Sequence, residues 1–294
     1  MRILLFGASG FLGKSLLPLL EADGHNCFTV SRKNTNSSYT IDISNFKEFE
    51  ILNTEYFDAV INCATILPGG DYLDNNYLNQ IYKTNILGTQ NICKWINEQD
   101  SIKKIINCST LAVVSKPWNI NLSEDENTYP VGHHVLYCSS KLTQELLFST
   151  LASKKNISLT HFRFSALYGK HMHWSGLICN FIDQARAVNK INLTNGSKVS
   201  ADFLYVEDAS KIILAALRSE ISGIVNAASG IETTIMELAE VIKFNLNGKV
   251  VIENVEKESF IEDRSVIDVS KLNTIIDTKK FVDLKTGISQ ILSQ

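Results

Sequence analysis

The sequence predicts an α/β protein, a doubly wound parallel sheet with a smaller C-terminal α/β lobe that binds substrate. Three observations carry this reading. Through the first two-thirds of the chain, short β-branched runs alternate with longer stretches whose apolar residues recur at helical spacing. Such alternation implies right-handed crossovers and a sheet covered on both faces. A glycine-rich turn joins the first strand to the first helix, and after about residue 170 the rhythm becomes irregular, with a polar stretch from Asn192 to Ser200.

Taken in order, residues 2–6, 57–63, 103–108 and 158–164 read as buried strands, with Cys27–Val30 as another, and residues 11–22, 76–98 and 136–153 as helices. Beyond them the pattern predicts helices over 176–188, 207–218, 234–246 and 284–292, strands over 223–228 and 249–253, and a turn at Asn195-Gly196. The first domain is expected to cover 1–168, with strand and helix returning to it from about 201–228, and the substrate lobe to cover mainly 169–294. A substrate would sit in the crevice between them.

Composition narrows the classes of function. The chain has 294 residues, 45% apolar and 20% charged, too apolar for a disordered protein. With 28 Lys and Arg against 31 Asp and Glu it carries a formal charge of −3 and offers no net basic field to nucleic acid or an anionic membrane. No run approaches the roughly 18 apolar residues of a membrane span, and the run from Met1 to Phe6 is too short for a signal peptide's apolar region. A cytoplasmic protein is expected, with no nucleic-acid or membrane partner. The six cysteines show no C-x-x-C pair, so neither a metal site nor a disulfide framework is expected.

The run Gly7-Ala8-Ser9-Gly10-Phe11-Leu12-Gly13 follows a strand and opens a helix. There, glycines permit a tight turn and bring a pyrophosphate close to backbone N–H groups at a helix N-terminus. The second strand ends at Ser31-Arg32-Lys33, where an acid would bind a ribose 2′-hydroxyl and an arginine would accept a 2′-phosphate. The cofactor expected from this is NADP, with NAD as the alternative. Asp42, followed by Ile43, is placed to meet the adenine edge.

Tyr137 and Lys141 stand four residues apart at the start of a predicted helix and share one face. The ammonium is expected to lower the tyrosine pKa toward the working range. One strand–helix unit earlier, Ser109-Thr110 ends the fourth strand, where residues face the ligand crevice. Thr110 could hydrogen-bond the carbonyl oxygen that Tyr137 protonates.

Together these residues resemble the extended short-chain dehydrogenase/reductase superfamily, in its branch of NAD(P)-dependent sugar-nucleotide epimerases, dehydratases and reductases. Gly7, Gly10 and Gly13 match the cofactor loop of the Rossmann domain, Asn62-Cys63-Ala64 the segment after the third strand, and Thr84 to Thr89 the Asn-x-x-Gly-Thr helix. Arg163 to Gly169, Asp202 to Asp208 and Gly223 to Gly230 resemble later segments of the same branch. The resemblance implies Thr110, Tyr137 and Lys141 as catalytic residues. It implies that Gly7, Ser9, Gly10, Phe11, Leu12, Gly13, Ser31, Arg32, Asp42, Ile43, Cys63, Ala64, Thr65, Asn85, Tyr137 and Lys141 hold the cofactor. Ser109 and Arg264 are implied for substrate, Arg264 by similarity to an arginine that pairs with the nucleotide diphosphate.

Relatives that dehydrate sugars carry an Asp-Glu pair after the catalytic threonine, and those that combine 3,5-epimerisation with reduction carry a Cys at the position of Ala112. This chain has Leu111-Ala112. The expected activity is therefore NADPH-dependent reduction of a 4-keto-6-deoxy nucleotide sugar, with a nucleotide-sugar 4-epimerase as the alternative and a non-catalytic dinucleotide-binding regulator as the reading from another class. A homodimer is also implied, paired through the helices at 76–98 and 136–153, where Tyr77, Ile81, Ile92, Trp95, Leu142, Leu146 and Leu147 include more apolar positions than one buried face needs.

Overall fold

The computed structural model describes residues 1–32, 37–129, 134–246, 248–258 and 260–293. Along the chain run β1 (Arg2–Phe6), α1 (Phe11–Ala22), β2 (Asn26–Ser31), β3 (Tyr39–Thr40), β4 (Ala59–Asn62), α2 (Asn75–Ile81), α3 (Gly88–Asn97), β5 (Lys104–Thr110), α4 (Val135–Lys155) and β6 (Ser158–Phe164). There follow β7 (Ala166–Tyr168), α5 (Gly176–Val188), β8 (Lys190–Thr194), β9 (Ser200–Tyr205), α6 (Val206–Leu217), β10 (Gly223–Ala227), β11 (Glu232–Thr234), α7 (Ile235–Asn245), β12 (Val251–Val255) and α8 (Leu284–Leu292).

The chain divides into two compact units, one of residues 1–115, 127–164 and 210–225, the other of residues 116–126, 165–209 and 226–294. In the first, seven strands form a sheet in the order β10-β6-β5-β4-β1-β2-β3, with β6 through β3 parallel to their neighbours. The order reverses between β1 and β4. At such a switch point the turns leaving the strands' carboxyl ends diverge and open a crevice. Buried side chains including Phe6, Phe49, Phe57, Trp95 and Phe148 pack one face of this sheet.

The second unit has its own core, with Tyr168, Phe181, Ile182, Leu238 and Ile288 at its centre. It holds a three-stranded sheet, β11-β9-β7, and a two-stranded one, β12-β8. The segment from Ser200 was expected to return to the main sheet. Instead β9 pairs antiparallel with β11 and parallel with β7, so both its edges are filled within the second unit. The stretch read as polar from Asn192 begins inside β8, and Asn195 makes the turn with φ +54°.

The helix predicted over 76–98 is three pieces. Between α2 and α3 lies a π-helical turn, Tyr82–Leu87, in which the Gly88 N–H bonds the Lys83 carbonyl five residues back. Asn85 is fully buried there. Gly88 lies against Ile43, where a Cβ would come within 2.6 Å of the isoleucine side chain. Ile81, Ile92 and Trp95, expected to face a second copy, are at most 1% exposed within their own chain. Tyr77 is likewise engaged internally: its hydroxyl donates to the Leu67 carbonyl at 2.8 Å. Tyr82, Leu87 and Leu146 are the apolar side chains of this region that face outward.

Three elements under the crevice are joined by one buried group of charges. Glu145 of α4 receives Arg163 of β6 through Nε at 3.0 Å and Nη2 at 2.8 Å, and Ser109 of β5 donates its hydroxyl to the same carboxylate. Burial pushes the Glu145 carboxyl up, but the Arg163 and Ser109 hydrogen bonds outweigh it and hold the group below the ordinary carboxylate range. Removing one member strands a charge in a dry interior. Arg163→Leu is expected to lower unfolding free energy by about 3–5 kcal/mol, with Arg163→Leu/Glu145→Leu recovering most of the loss, as read by urea denaturation of the three proteins.

Candidate active site

The turn after β1 forms one side of the site. Gly7 has φ +81°, and a Cβ there would lie 2.6 Å from the Ala64 backbone nitrogen. Glycine alone lets this turn press against the segment leaving β4. At Gly13 a Cβ would fall 2.3 Å from the Gly7 carbonyl oxygen, so α1 can seat against the turn only without a side chain. Gly10 caps α1 with extended backbone and no side-chain hydrogen bond, and the helix's first turn contains no acid. The helix end therefore presents its N–H groups and positive dipole in the form an anion needs.

Around this turn is a cavity of about 190 Å³, lined by Phe6, Gly7, Ser9, Gly10, Val30, Ser31, Arg32, Ile41, Ile43, Cys63, Ala64, Thr65 and Thr84. Among the described lining residues Arg32 is the one cation, and no carboxylate faces it. Glycine cradle, open helix end and apolar side walls fit a dinucleotide. Phe6, Val30, Ile41 and Thr84 were not anticipated. Phe6 and Val30 are ordinary residues near the ends of β1 and β2, and Ile41 directly follows β3, so all three face the cavity because those strands end there.

Other expected cofactor residues stand behind the lining. Leu12 and Gly13 turn into the core and can offer backbone only, and Phe11, half-buried at the start of α1, is not among the lining residues. Asp42 is exposed, its carboxylate accepting from the Ser44 N–H at 3.0 Å and hydroxyl at 2.8 Å. Asn85 does not reach the cavity wall: its side chain accepts from the Ile66 N–H at 2.7 Å and donates to the Ile66 carbonyl and the Ser140 hydroxyl. Lys33, named with Arg32, lies outside the described residues.

Tyr137 and Lys141, expected both to catalyse and to hold the cofactor, stand on α4, no residue of which is among the described residues lining this cavity. Tyr137, Lys141 and Glu145 succeed one another every fourth residue along one buried face, at 8%, 2% and 4% exposure. Lys141 Nζ donates to the Cys108 carbonyl and, at 2.6 Å, to Gln144 Oε1. Gln144 Nε2 in turn donates to Thr89 Oγ1 at 3.0 Å, and the Thr89 hydroxyl donates to the Asn85 carbonyl at 2.8 Å. Burial lowers the Lys141 ammonium to about 8, against the upward pull of Cys108, Cys63 and Glu145.

Tyr137 departs from expectation. Its phenol is pushed well above the ordinary range, first by burial and then by Cys138, Tyr77 and Tyr72, whereas Lys141 was expected to lower it. The ammonium spends its hydrogen bonds on Cys108 and Gln144, and burial decides the sign. At neutral pH the phenol therefore keeps its proton, in the form of an acid. Tyr72 and Tyr77, whose ring centroids are 5.5 Å apart, crowd this side. Gly70 makes room for them, since a Cβ there would come within 2.5 Å of the Tyr77 ring.

Thr110 ends β5 and caps the 3₁₀ turn Leu111–Val113, its Oγ1 accepting from the Ala112 N–H at 3.2 Å. Among the described residues its own O–H proton has no acceptor, which leaves it for a ligand oxygen. Leu111 and Val113 are buried and Ala112 exposed, so this turn supplies no acid or base. Ser109 and Arg264, both expected to touch substrate, are committed elsewhere. Ser109 is 5% exposed and bonded to Glu145, and Arg264 in the second unit pairs with Glu232 through both Nε and Nη2. The Arg264 bond, burial against it and the Ser200 hydroxyl together bring the Glu232 carboxyl down to about 2.

Comparison with known proteins agrees with this geometry. Residues 3–228 match the model of the NAD dependent epimerase/dehydratase family. A putative UDP-glucose 4-epimerase from Methanocaldococcus jannaschii is 26% identical over 99% of this chain and 97% of its own length, and UDP-glucuronic acid decarboxylase 1 from Danio rerio is 24% identical over 99% and 72%. Among solved structures, UDP-glucuronic acid 4-epimerase from Bacillus cereus, in complex with UDP-glucuronic acid and NAD, superposes with a TM-score of 0.82 at 20% identity, covering 100% of this chain and 98% of that one. UDP-glucose 4-epimerase from Thermotoga maritima gives 0.82 at 19% identity and the same coverage. With its glycine turn, switch-point cavity and Tyr137–Lys141 face, this chain belongs to the NAD dependent epimerase/dehydratase family, within the extended short-chain dehydrogenase/reductases.

Proposed function

We propose that this protein is an NAD(P)-dependent 4-epimerase of a nucleotide sugar. The observation that carries the reading is the pairing of one buried phenol, Tyr137, and the Lys141 ammonium on the same helix face with a turn, Leu111–Val113, that holds no acid or base. A site so equipped can move one proton at one oxygen, which suits reversible oxidation of a carbinol and not elimination of water. The 4-epimerases among the relatives support it, above all the one matched over 97% of its length.

When bound, NAD(P)⁺ would supply the acceptor for the hydrogen leaving the carbinol carbon. Gly7, Gly10 and the first turn of α1 would hold its pyrophosphate, and Arg32, Ile43, Cys63, Ala64 and Thr65 would wall it. With the positive charge of the bound cofactor beside it, Tyr137 would give up its own proton, take the proton of the sugar hydroxyl as phenolate, and return it after the keto sugar has turned over in the site. Lys141 carries the positive charge that steadies the phenolate before the proton is taken and after it is returned, and Thr110 donates to the same sugar oxygen, an interaction that strengthens as negative charge gathers there. The second unit is proposed to hold the nucleotide, with Arg264 leaving Glu232 to meet the diphosphate. A homodimer through outward residues such as Tyr82, Leu87 and Leu146 completes the proposal.

One observation favours a second reading. Arg32 lines the cavity, where no carboxylate stands among the described lining residues; this suits a 2′-phosphate, and an enzyme that consumes free NADPH would be the expected reductase of a 4-keto-6-deoxy nucleotide sugar. Incubation with UDP-glucose, UDP-glucuronic acid and UDP-N-acetylglucosamine separates the two. An epimerase interconverts 4-epimers with no net change in nicotinamide absorbance, whereas stoichiometric NADPH oxidation on adding a 4-keto sugar nucleotide would establish the reductase instead.

Tyr137→Phe is expected to lower kcat by about 10² to 10⁴ while the dinucleotide Kd barely moves. Because the Lys141 ammonium is brought down to about 8, its charge is lost as pH rises through that value, so kcat should decline above it. In Lys141→Arg, whose guanidinium does not titrate there, whatever activity remains should lack that alkaline limb. Arg32→Ala should weaken NADP⁺ by about tenfold or more, the scale of one charged hydrogen bond, and leave NAD⁺ nearly unchanged in a calorimetric titration. Equal losses for both dinucleotides would remove Arg32 from the 2′-phosphate role.

A further inference from the structure

Cys63 stands on the cavity wall, with Cys108 beside it in the layer behind. Asn62 and Asn107 are register partners in the parallel pair β4–β5, and the cysteines follow them directly. Their sulfurs are 3.4 Å apart. Neighbouring strands lie about 4.8 Å apart, inside the roughly 4.4–6.8 Å between Cα atoms that a disulfide spans. Cys63 is half-buried and lines the dinucleotide cavity, and Cys108 is buried behind it.

We propose that Cys63 and Cys108 form a reversible disulfide that weakens dinucleotide binding, so that the protein is switched by a peroxide or a small disulfide. This goes beyond the catalytic reading and rests only on the cavity being the dinucleotide site. With hydrogen peroxide, one sulfur attacks the O–O bond, forming S–O and releasing one oxygen as water. The second sulfur then displaces the hydroxyl from the first, S–S forms as S–O breaks, and the two thiol protons end in two waters. Two electrons pass from the sulfurs to the peroxide.

The wall has no slack to absorb the change. Closing the sulfurs from 3.4 Å to about 2.0 Å pulls on the backbone after Cys63, and that backbone already touches Gly7 so tightly that a Cβ would meet the Cys63 carbonyl carbon at 2.7 Å. The glycine turn must shift with it. On the other side, the Cys108 carbonyl accepts from Lys141 Nζ, so the same closure displaces the ammonium. The hydrogen bond to Cys108 and then burial raise the Cys63 thiol, with Lys141 opposing. Cys63 therefore rests as the thiol, and an oxidant must enter through the cavity that it lines. Coupling is reciprocal: if the disulfide expels the dinucleotide, bound dinucleotide protects the thiols.

The experiment treats the reduced full chain with hydrogen peroxide, and in parallel with glutathione disulfide, with and without saturating NADP⁺ or NAD⁺. Intact mass and peptide mapping follow the thiols, and calorimetry follows the dinucleotide. Expected are loss of two hydrogens, a Cys63–Cys108 cross-link, a fall in affinity of about tenfold or more, recovery with dithiothreitol, and slower cross-linking under dinucleotide. Cys108→Ser should hold its own untreated affinity under oxidant, and Cys93→Ser, lacking a buried thiol elsewhere in the unit, should respond as the parent does. Oxygen addition without the cross-link overturns the proposal, as does a cross-link that leaves affinity unchanged or a Cys108→Ser protein as sensitive as the parent. A reduced chain that binds neither dinucleotide overturns the cavity reading and the switch with it, while the peptide map still reports the thiols separately.

Discussion

The site depends on a carboxylate and a guanidinium buried together beneath it. Glu145 and Arg163 are 4% and 2% exposed, and neither could remain there without the other. Their bond joins α4 to β6, and the Ser109 hydroxyl brings in β5. The residue after Ser109 is Thr110, and one helical turn before Glu145 is Lys141. A single ionic contact thus sets where the hydroxyl that meets a ligand stands relative to the face that carries the phenol and the ammonium.

A second layer of order comes from amides. Asn62 donates to Asn107, which meets His161, whose other ring nitrogen meets Ser149. Burial takes His161 down to about 4, so the ring is neutral and can serve one partner as donor and the other as acceptor. The π-helical turn belongs to this layer. Asn85 sits inside it and ties the Ile66 backbone to Ser140, whose hydroxyl donates to the Tyr137 carbonyl. Thr89 takes up the Asn85 carbonyl and passes the chain of bonds through Gln144 to Lys141. An irregular turn on one helix is wired to both reactive residues on another.

Much of this was legible in the sequence because it follows from local constraints. The glycine turn announces itself, since only glycine tolerates the contacts found at Gly7 and Gly13, and strand–helix alternation carries the sheet. The four-residue step from Tyr137 to Lys141 needs only a helix to become a face. What could not be read required partners distant in the chain. Ser109 looks like any hydroxyl at a strand end until Glu145 and Arg163 are placed behind it, and Arg264 looks uncommitted until Glu232 meets it. Apolar spacing over 76–98 fits an ordinary helix, so the wide turn is invisible without the packing of Gly88 on Ile43. The step from Tyr137 to Lys141 alone points to a lowered pKa, whereas burial raises it, and two of the groups that add to the rise, Tyr72 and Tyr77, come from another segment. Likewise β9 had the composition of a sheet strand, and nothing in it specified which sheet.

The hydrogen bonds of Lys141 have a consequence in simple valence. An ammonium has three N–H bonds, and among the described residues two are occupied, by a backbone carbonyl and an amide oxygen. These fix the nitrogen's orientation, so the remaining proton points in one direction instead of sweeping a cone. The side chain most often described as a floppy point charge is here a one-proton donor of set bearing. The planar fork of an arginine would carry the same charge but spread its donors in one plane, so it could not reproduce the same three directions.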